Sequence, residues 1–211
     1  MVRHPRRSVA LVSGGVESAA LVARLLRRGE RVTPIYVRSG YRWEKTELRR
    51  LGRLLEALKA PRLKPLVVLP APARHLCGAE HWGFTGRRVP GAASQDAAVY
   101  LTGRNLLLLS AAAVYCERNR IEAVALGTLR GNPFPDARPG FFSSMERALT
   151  SGLGRKLSIE TPFRRLSKRQ VIRAAWKLPW ELTFSCIAPA RGRACGRCNK
   201  CAERRKALRT V

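Results

Sequence analysis

Residues 8–20 read SVALVSGGVESAA. The apolar run at 8–12 fits a short buried strand, and VESAALVARLLRR at 16–28 fits a helix that Gly29 ends. Ser13, Gly14 and Gly15 are all that joins them. A strand that passes into a helix through so short a turn presents successive backbone N–H groups with no intrahelical partner, at the positive end of the helix dipole. Such a turn is a cradle for an anion. Glycine suits it because a β-carbon blocks close approach and disfavours positive φ. Ser13 and Ser18 add hydroxyl donors. No lysine follows, so this is not a Walker A loop, and the spacing G-x-G-x-x-G of a dinucleotide site is missing. The bland alternative is a tight turn with no ligand.

Outward from this turn, apolar strands alternate with helical periodicity. RVTPIYV at 31–37, LKPLVVL at 63–69, IEAVALG at 121–127 and KLSIETPF at 156–163 read as strands. Helices are predicted at 43–59, where leucines 48, 51, 54, 55 and 58 recur, and at 105–119, 141–152 and 167–178. The 105–119 helix is apolar on all sides and reads as buried. Residues 70–95 have no periodicity and read as a long loop or lid. The pattern predicts an α/β fold with an open, mostly parallel five-stranded sheet and helices on both faces. In such sheets ligands lie beyond the carboxyl ends of the strands. Ser13-Gly14-Gly15, Ser39-Gly40 and Gly127 all fall there.

Forty-one Lys and Arg against 14 Asp and Glu give a formal charge of +27 over 211 residues. That surface attracts polyanions, but the basic residues are spread along the chain and no separate nucleic-acid module is visible, so nucleic acid ranks below a small-molecule ligand. A hydrophobic fraction of 45% fits a globular chain. The basic start MVRHPRR lacks a cleavage site, and no 18-residue apolar run exists, which predicts a soluble cytoplasmic protein away from membranes.

Four of the six cysteines crowd into FSCIAPARGRACGRCNKC at Cys186, Cys195, Cys198 and Cys201. Four thiolates close a tetrahedral Zn²⁺ site of structural type, with no open position for substrate. An iron–sulfur cluster competes, but no Cys-Pro follows the run. Cys77 and Cys116 read as a loop thiol and a small buried residue. The layout predicts an α/β domain over 1–180 and a zinc-binding segment over 181–211.

SGGVES resembles the SGGxDS loop of the ATP-pyrophosphatase (PP-loop) group, with Glu17 in place of the usual Asp. With the four-cysteine tail, Gly103-Arg104-Asn105, Pro135-Asp136, Arg138, Phe141, Pro162, Lys168 and Ser185, the chain resembles the QueC family of 7-cyano-7-deazaguanine synthases along nearly its whole length. The resemblance implies an adenine nucleotide alpha hydrolase-like fold and a reaction of ATP with 7-carboxy-7-deazaguanine or a similar acid. AMP transfer to the carboxylate lets ammonia form the amide, and a second activation gives the nitrile. Ser13, Gly14, Gly15, Val16, Ser18, Gly40, Gly103, Arg104, Asn105 and Gly127 would bind ATP. Mg²⁺ would bridge phosphates near Glu17 and Asp136, while Arg42, Arg138 and Lys168 clamp phosphate or carboxylate. The family also implies a homodimer. Two alternatives stay open: a QueC-like enzyme that joins the activated acid to a protein amine, and an RNA-binding or RNA-modifying relative. The family's usual Tyr-Gly-Gln-Arg-His appears here as SGYRW, with Tyr41 and Trp43 in place of Gln and His.

Overall fold

The computed structural model describes residues 5–209, so the first four residues of the basic N-terminus, and 210–211, lie outside it. Five strands form one parallel sheet: β1 (Arg7–Leu11), β2 (Arg31–Arg38), β3 (Val67–Pro70), β4 (Ala123–Ala125) and β5 (Ser158–Glu160), in the order β3-β2-β1-β4-β5. The chain leaves β1 first for one side and later for the other, so the crevice between β1 and β4 is the switch point of the sheet. Eight helices accompany them among the described residues: α1 (Val16–Arg27), α2 (Glu44–Ala57), α3 (Arg74–Cys77), α4 (Trp82–Thr85), α5 (Arg104–Arg118), α6 (Pro139–Leu153), α7 (Lys168–Ala174) and α8 (Asn199–Leu208).

Alternation along β1 sorts the core. Ala10 and Val12 face a layer with Leu21 and Leu25 of α1, Leu51 and Leu54 of α2 and Val171 of α7. Val9 and Leu11 face the other layer, with Leu109 and Ala112 of α5 and Phe142 of α6. This period-two division puts helices on both faces, as the strand–helix alternation requires. No described helix is long and apolar enough to cross a membrane.

Three local expectations change. α5 is not buried all round: Leu106 and Val114 are 46% and 53% exposed, because only one of its faces meets the sheet. Residues 70–95 are not a structureless lid. They carry α3 and α4, each a single turn and so too short to show periodicity. Tyr41, Trp43 and Phe84 pack there with Ala73 and Leu101 as a separate small core. Third, α8 follows the cysteine run, where the sequence showed no apolar period because its apolar residues are few.

Candidate active site and metal centre

The turn after β1 is built as its residues suggest. Gly14 adopts φ +82°, and a β-carbon there would stand 3.4 Å from Cβ of Leu51. Gly15 is the N-cap of α1 and has no capping side chain. The Ser13 N–H donates to the Ser18 hydroxyl at 2.9 Å, and the two hydroxyls lie 3.2 Å apart. Val16 is fully buried and packs with Ile172 and Ala207, so only its backbone belongs to the turn. A β-carbon built on Gly15 would meet Glu17 Oε2, Ser13 Oγ and Ser185 Oγ, each at 3.5 Å. Three polar side chains therefore converge above a bare helix end.

Gly127, just past β4, closes the other wall. A β-carbon there would lie 2.8 Å from Cβ of Glu17, so glycine lets the chain after β4 approach the first turn of α1. Between them opens a cleft of about 390 Å³. Ser13, Gly15, Glu17, Ser18, Arg104, Asn105, Gly127, Asp136 and Lys168 all line it.

Charge is organised around Lys168 at the start of α7. Its ammonium contacts Glu17 at 2.8 Å and Glu203 of α8 at 2.5 Å, and Glu203 also pairs with Lys200 at 2.8 Å. Burial works against the charge on Lys168, yet the two carboxylates outweigh it and push its pKa up to about 12. Burial likewise opposes ionisation of Glu203, but Lys168 and Lys200 hold its pKa down at about 2. The capping box of Ser167 with Gln170 fixes the first turn of α7 and thus the root of Lys168.

Asp136 is buried and accepts the Asn105 N–H at 2.9 Å, while the Asn105 side-chain amide donates to the Asp136 carbonyl at 2.7 Å. One carboxylate thus caps the start of α5 and borders the cleft. Gly103, at φ +65°, is the N-cap of that helix. Other expected residues are not brought in. Gly40 has φ +93°, and its N–H and that of Ser39 donate to the buried Glu44 carboxylate at 3.0 and 2.6 Å. The Arg42 guanidinium donates to the Thr85 carbonyl at 2.6 Å, tying the segment before α2 to α4 outside the cleft. Arg138 is exposed at the N-cap of α6.

The sequence reading missed several lining residues: Lys200 and Glu203, Ser185, and Tyr36, Trp43 and Glu47 on the far side. A signal existed for Glu47. The leucine stripe of α2, continued one turn back from Leu51, lands on an acid, and an acid on the core face of a helix invites a partner.

The sulfurs of Cys186, Cys195, Cys198 and Cys201 lie within 4.8 Å of one another, and those of Cys186 and Cys198 are 4.0 Å apart. Thiolates at about 2.3 Å from a shared tetrahedral ion stand about 3.8 Å apart, so the cluster can hold a metal. The Cys195 N–H donates to the Cys186 sulfur at 3.3 Å, the kind of second interaction that orients a ligand. Cys198 is the N-cap of α8, and Cys201 sits in its first turn. The same helix carries Lys200 and Glu203 into the cleft. Phe184 N–H donates to the Gly14 carbonyl at 2.7 Å, a second tie from this segment to the glycine turn.

The sequence profile described as Queuosine biosynthesis protein QueC matches residues 7–211. The chain belongs to the QueC family. It is 34% identical over 212 residues to 7-cyano-7-deazaguanine synthase of Anaeromyxobacter dehalogenans, covering 95% of this chain and 90% of the relative. Two solved PP-loop proteins share the fold. A U34-tRNA thiolase, NcsA from Methanococcus maripaludis, with its 4Fe-4S cluster, superposes with TM-score 0.56 at 9% identity over 98% of this chain and 65% of its own. A 4-thiouridine synthetase in complex with RNA and bound ATP gives TM-score 0.55 at 16% identity, over 98% of this chain and 50% of its own. At these identities the likeness shows the fold alone.

Proposed function

We propose that the cleft uses ATP to activate the carboxylate of a 7-deazaguanine acid and passes the activated acyl group to ammonia. The observation that carries this reading is the glycine turn opening α1 at the switch point of the sheet, with Glu17 and Lys168 paired directly beside it, in a chain of the QueC family. A free carboxylate resists displacement because its leaving group would be oxide. Attack of a carboxylate oxygen on the α-phosphorus expels pyrophosphate and makes a mixed anhydride, whose leaving group is AMP. Ammonia then attacks the carbonyl carbon and releases AMP, giving the amide. A second round places AMP on the amide oxygen, and loss of AMP and a proton leaves the nitrile.

In this scheme the N–H groups of Gly15 and Val16 and the hydroxyls of Ser13 and Ser18 receive the pyrophosphate. Lys168 supplies positive charge to the phosphates, and Glu17 and Glu203 hold its ammonium in place. Mg²⁺, bound through Glu17 and Asp136, would supply charge neutralisation across the phosphates. Asn105, held by Asp136, and Arg104 border the nucleotide. The cysteine cluster, carrying Zn²⁺, keeps α8 in register with the cleft, a structural role consistent with four protein ligands and no open position. On this reading the protein works in the cytoplasm on small molecules.

The test is mass spectrometry of the protein with ATP, Mg²⁺, ammonium and 7-carboxy-7-deazaguanine, with AMP quantified in parallel. The reading requires the nitrile, with two AMP per product. Amide without nitrile restricts the reaction to the first activation and favours an amine acceptor other than ammonia. No acid-dependent AMP contradicts the proposal.

A further inference from the structure

The far side of the cleft is lined by groups that the adenylation scheme leaves unused. Trp43 immediately precedes α2 and Glu47 lies one turn on, with the Glu47 N–H donating to the Trp43 carbonyl at 2.9 Å, so the two side chains share a helix face. Trp43 stacks on Trp82 of α4, with ring centroids 5.7 Å apart and planes inclined by 23°. Trp43 also stacks on Tyr41, with ring centroids 4.6 Å apart. Tyr100 and Phe134 form a second stacked pair, with ring centroids 5.0 Å apart. Trp43, Trp82, Tyr100 and Phe134 all line the same cavity, and flat π surfaces of this kind take a flat heterocycle.

One turn along α2 from Trp43 stands a buried carboxylate. Glu47 is 6% exposed and lines the cavity. The Tyr36 hydroxyl donates to one of its oxygens at 2.6 Å, which leaves a second lone pair on that oxygen and the whole of the other oxygen to accept. Burial pushes the carboxyl up to about 7, against the pull of Arg104 and the Tyr36 hydroxyl and with the added repulsion of Glu44. Arg104 is its nearby counter-charge and makes no ion pair with it, and the buried Arg104 Nε–H has no hydrogen-bond partner. A buried carboxylate and a buried guanidinium N–H with unfilled hydrogen-bonding capacity cost stability, and a polar ligand that fills them recovers it.

We infer that Glu47, held by Tyr36 in the cavity that Trp43 and Trp82 also line, is the specificity-determining acceptor for the adjacent ring N–H and 2-amino donors of a guanine-like heterocycle. This rests on the proposed function and adds how the cleft chooses its acid. A carboxylate accepts two parallel N–H donors from an amidine-like edge, as it does from a guanidinium, and finds no such pair on a ring without the amino group. Aromatic walls alone would not distinguish the two.

The experiment is calorimetric titration of 7-carboxy-7-deazaguanine, and of the same acid without its 2-amino group, into the wild-type protein with a non-hydrolysable ATP analogue. Wild type binds the 2-amino acid tighter by about 30-fold, the scale of one charge-assisted hydrogen bond. Glu47→Gln, whose thermal melt is followed alongside, brings the two acids within about 3-fold and leaves affinity for the ATP analogue unchanged. Equal wild-type affinity for the two acids overturns the inference even if the variant does not fold. An undiminished preference in Glu47→Gln overturns it as well. If wild type binds the ATP analogue and neither acid, the proposed function falls and the inference with it.

Discussion

The cleft has two halves built on different principles. One is the strand-end half, from the Ser13–Ser18 turn and Gly127, where backbone geometry does most of the work. A positive φ at Gly14, a bare helix end at Gly15 and the close approach of Gly127 to Glu17 leave little choice of residue. The other is the C-terminal half, where Lys200 and Glu203 reach the cleft only because α8 begins on two of the four clustered cysteines. Its polar atoms are also tied outward. Arg204 donates to the Trp180 carbonyl at 2.6 Å, and Asn199 donates from its backbone to the Pro90 carbonyl and from its side chain to the Ser94 carbonyl. The first half is a local consequence of sequence. The second depends on contacts across more than a hundred residues and on the four-cysteine cluster proposed to hold a metal, so it is the half that should fail first.

Breaking the cysteine cluster gives the largest expected effect. Cys198→Ser removes a ligand and the residue that starts α8. Bound metal, measured by plasma emission spectrometry, falls to background, and acid-dependent AMP formation falls by more than 100-fold as Glu203 leaves Lys168. Retention of full activity in a metal-free variant would make the two halves independent.

Next comes the bridge between the halves. Lys168→Ala leaves Glu17 and Glu203 facing each other without their shared cation. Stranding buried charge costs roughly 3 kcal/mol, read as a lowered denaturation midpoint. The same variant loses turnover by about 100-fold or more if Lys168 meets the phosphates. Gly127→Ala perturbs only the strand-end half. Its β-carbon at 2.8 Å from Glu17 Cβ forces a backbone shift, with an expected cost of about 1–3 kcal/mol and a raised KM for ATP. A variant as stable as wild type would mean that the wall yields easily.

A smaller and pH-dependent effect separates Glu47 from the rest. Its folded pKa of about 7 lies above the ordinary carboxylate value, so ionisation opposes folding. Tyr36, Arg104 and Glu44 are the charged or titratable groups around it. The protein therefore loses stability as pH rises from about 4.5 through 7, by roughly 3 kcal/mol at most. Glu47→Gln flattens that slope in denaturant titrations at pH 5 and pH 8. Glu203 has the opposite sign, because its pKa is lowered to about 2, and its contribution disappears as pH falls from about 4.5 toward 2. An unchanged slope in Glu47→Gln would assign the alkaline loss elsewhere. Arg42→Ala, outside the cleft and bonded to the Thr85 carbonyl, is expected to change KM for ATP by less than about 3-fold.

The same division explains what could be read in advance. The parallel sheet and the turn at Gly14 and Gly15 were legible because they depend on period, strand ends and glycine. The four cysteines were legible because ligand spacing is local. Glu203 was not, since nothing in NKCAERRKAL marks the face that meets Lys168 until α7 and α8 are packed. The segment at 70–95 was misread because α3 and α4 are single turns, held by Tyr41, Trp43 and Phe84 from two separate stretches. Gly40 was suggested by its place after β2 and Arg42 by the family resemblance; in the fold the Gly40 N–H donates to the Glu44 carboxylate and the Arg42 guanidinium to the Thr85 carbonyl.

In the proposed reaction the two halves together transfer AMP to the carboxylate of the acid. The most direct test uses 7-carboxy-7-deazaguanine with both carboxylate oxygens as ¹⁸O, incubated with the protein, ATP, Mg²⁺ and ammonium. Attack of the carboxylate on the α-phosphorus, followed by displacement at carbon, predicts AMP that carries one ¹⁸O. Unlabelled AMP formed alongside amide or nitrile, or ADP in its place, would contradict the account.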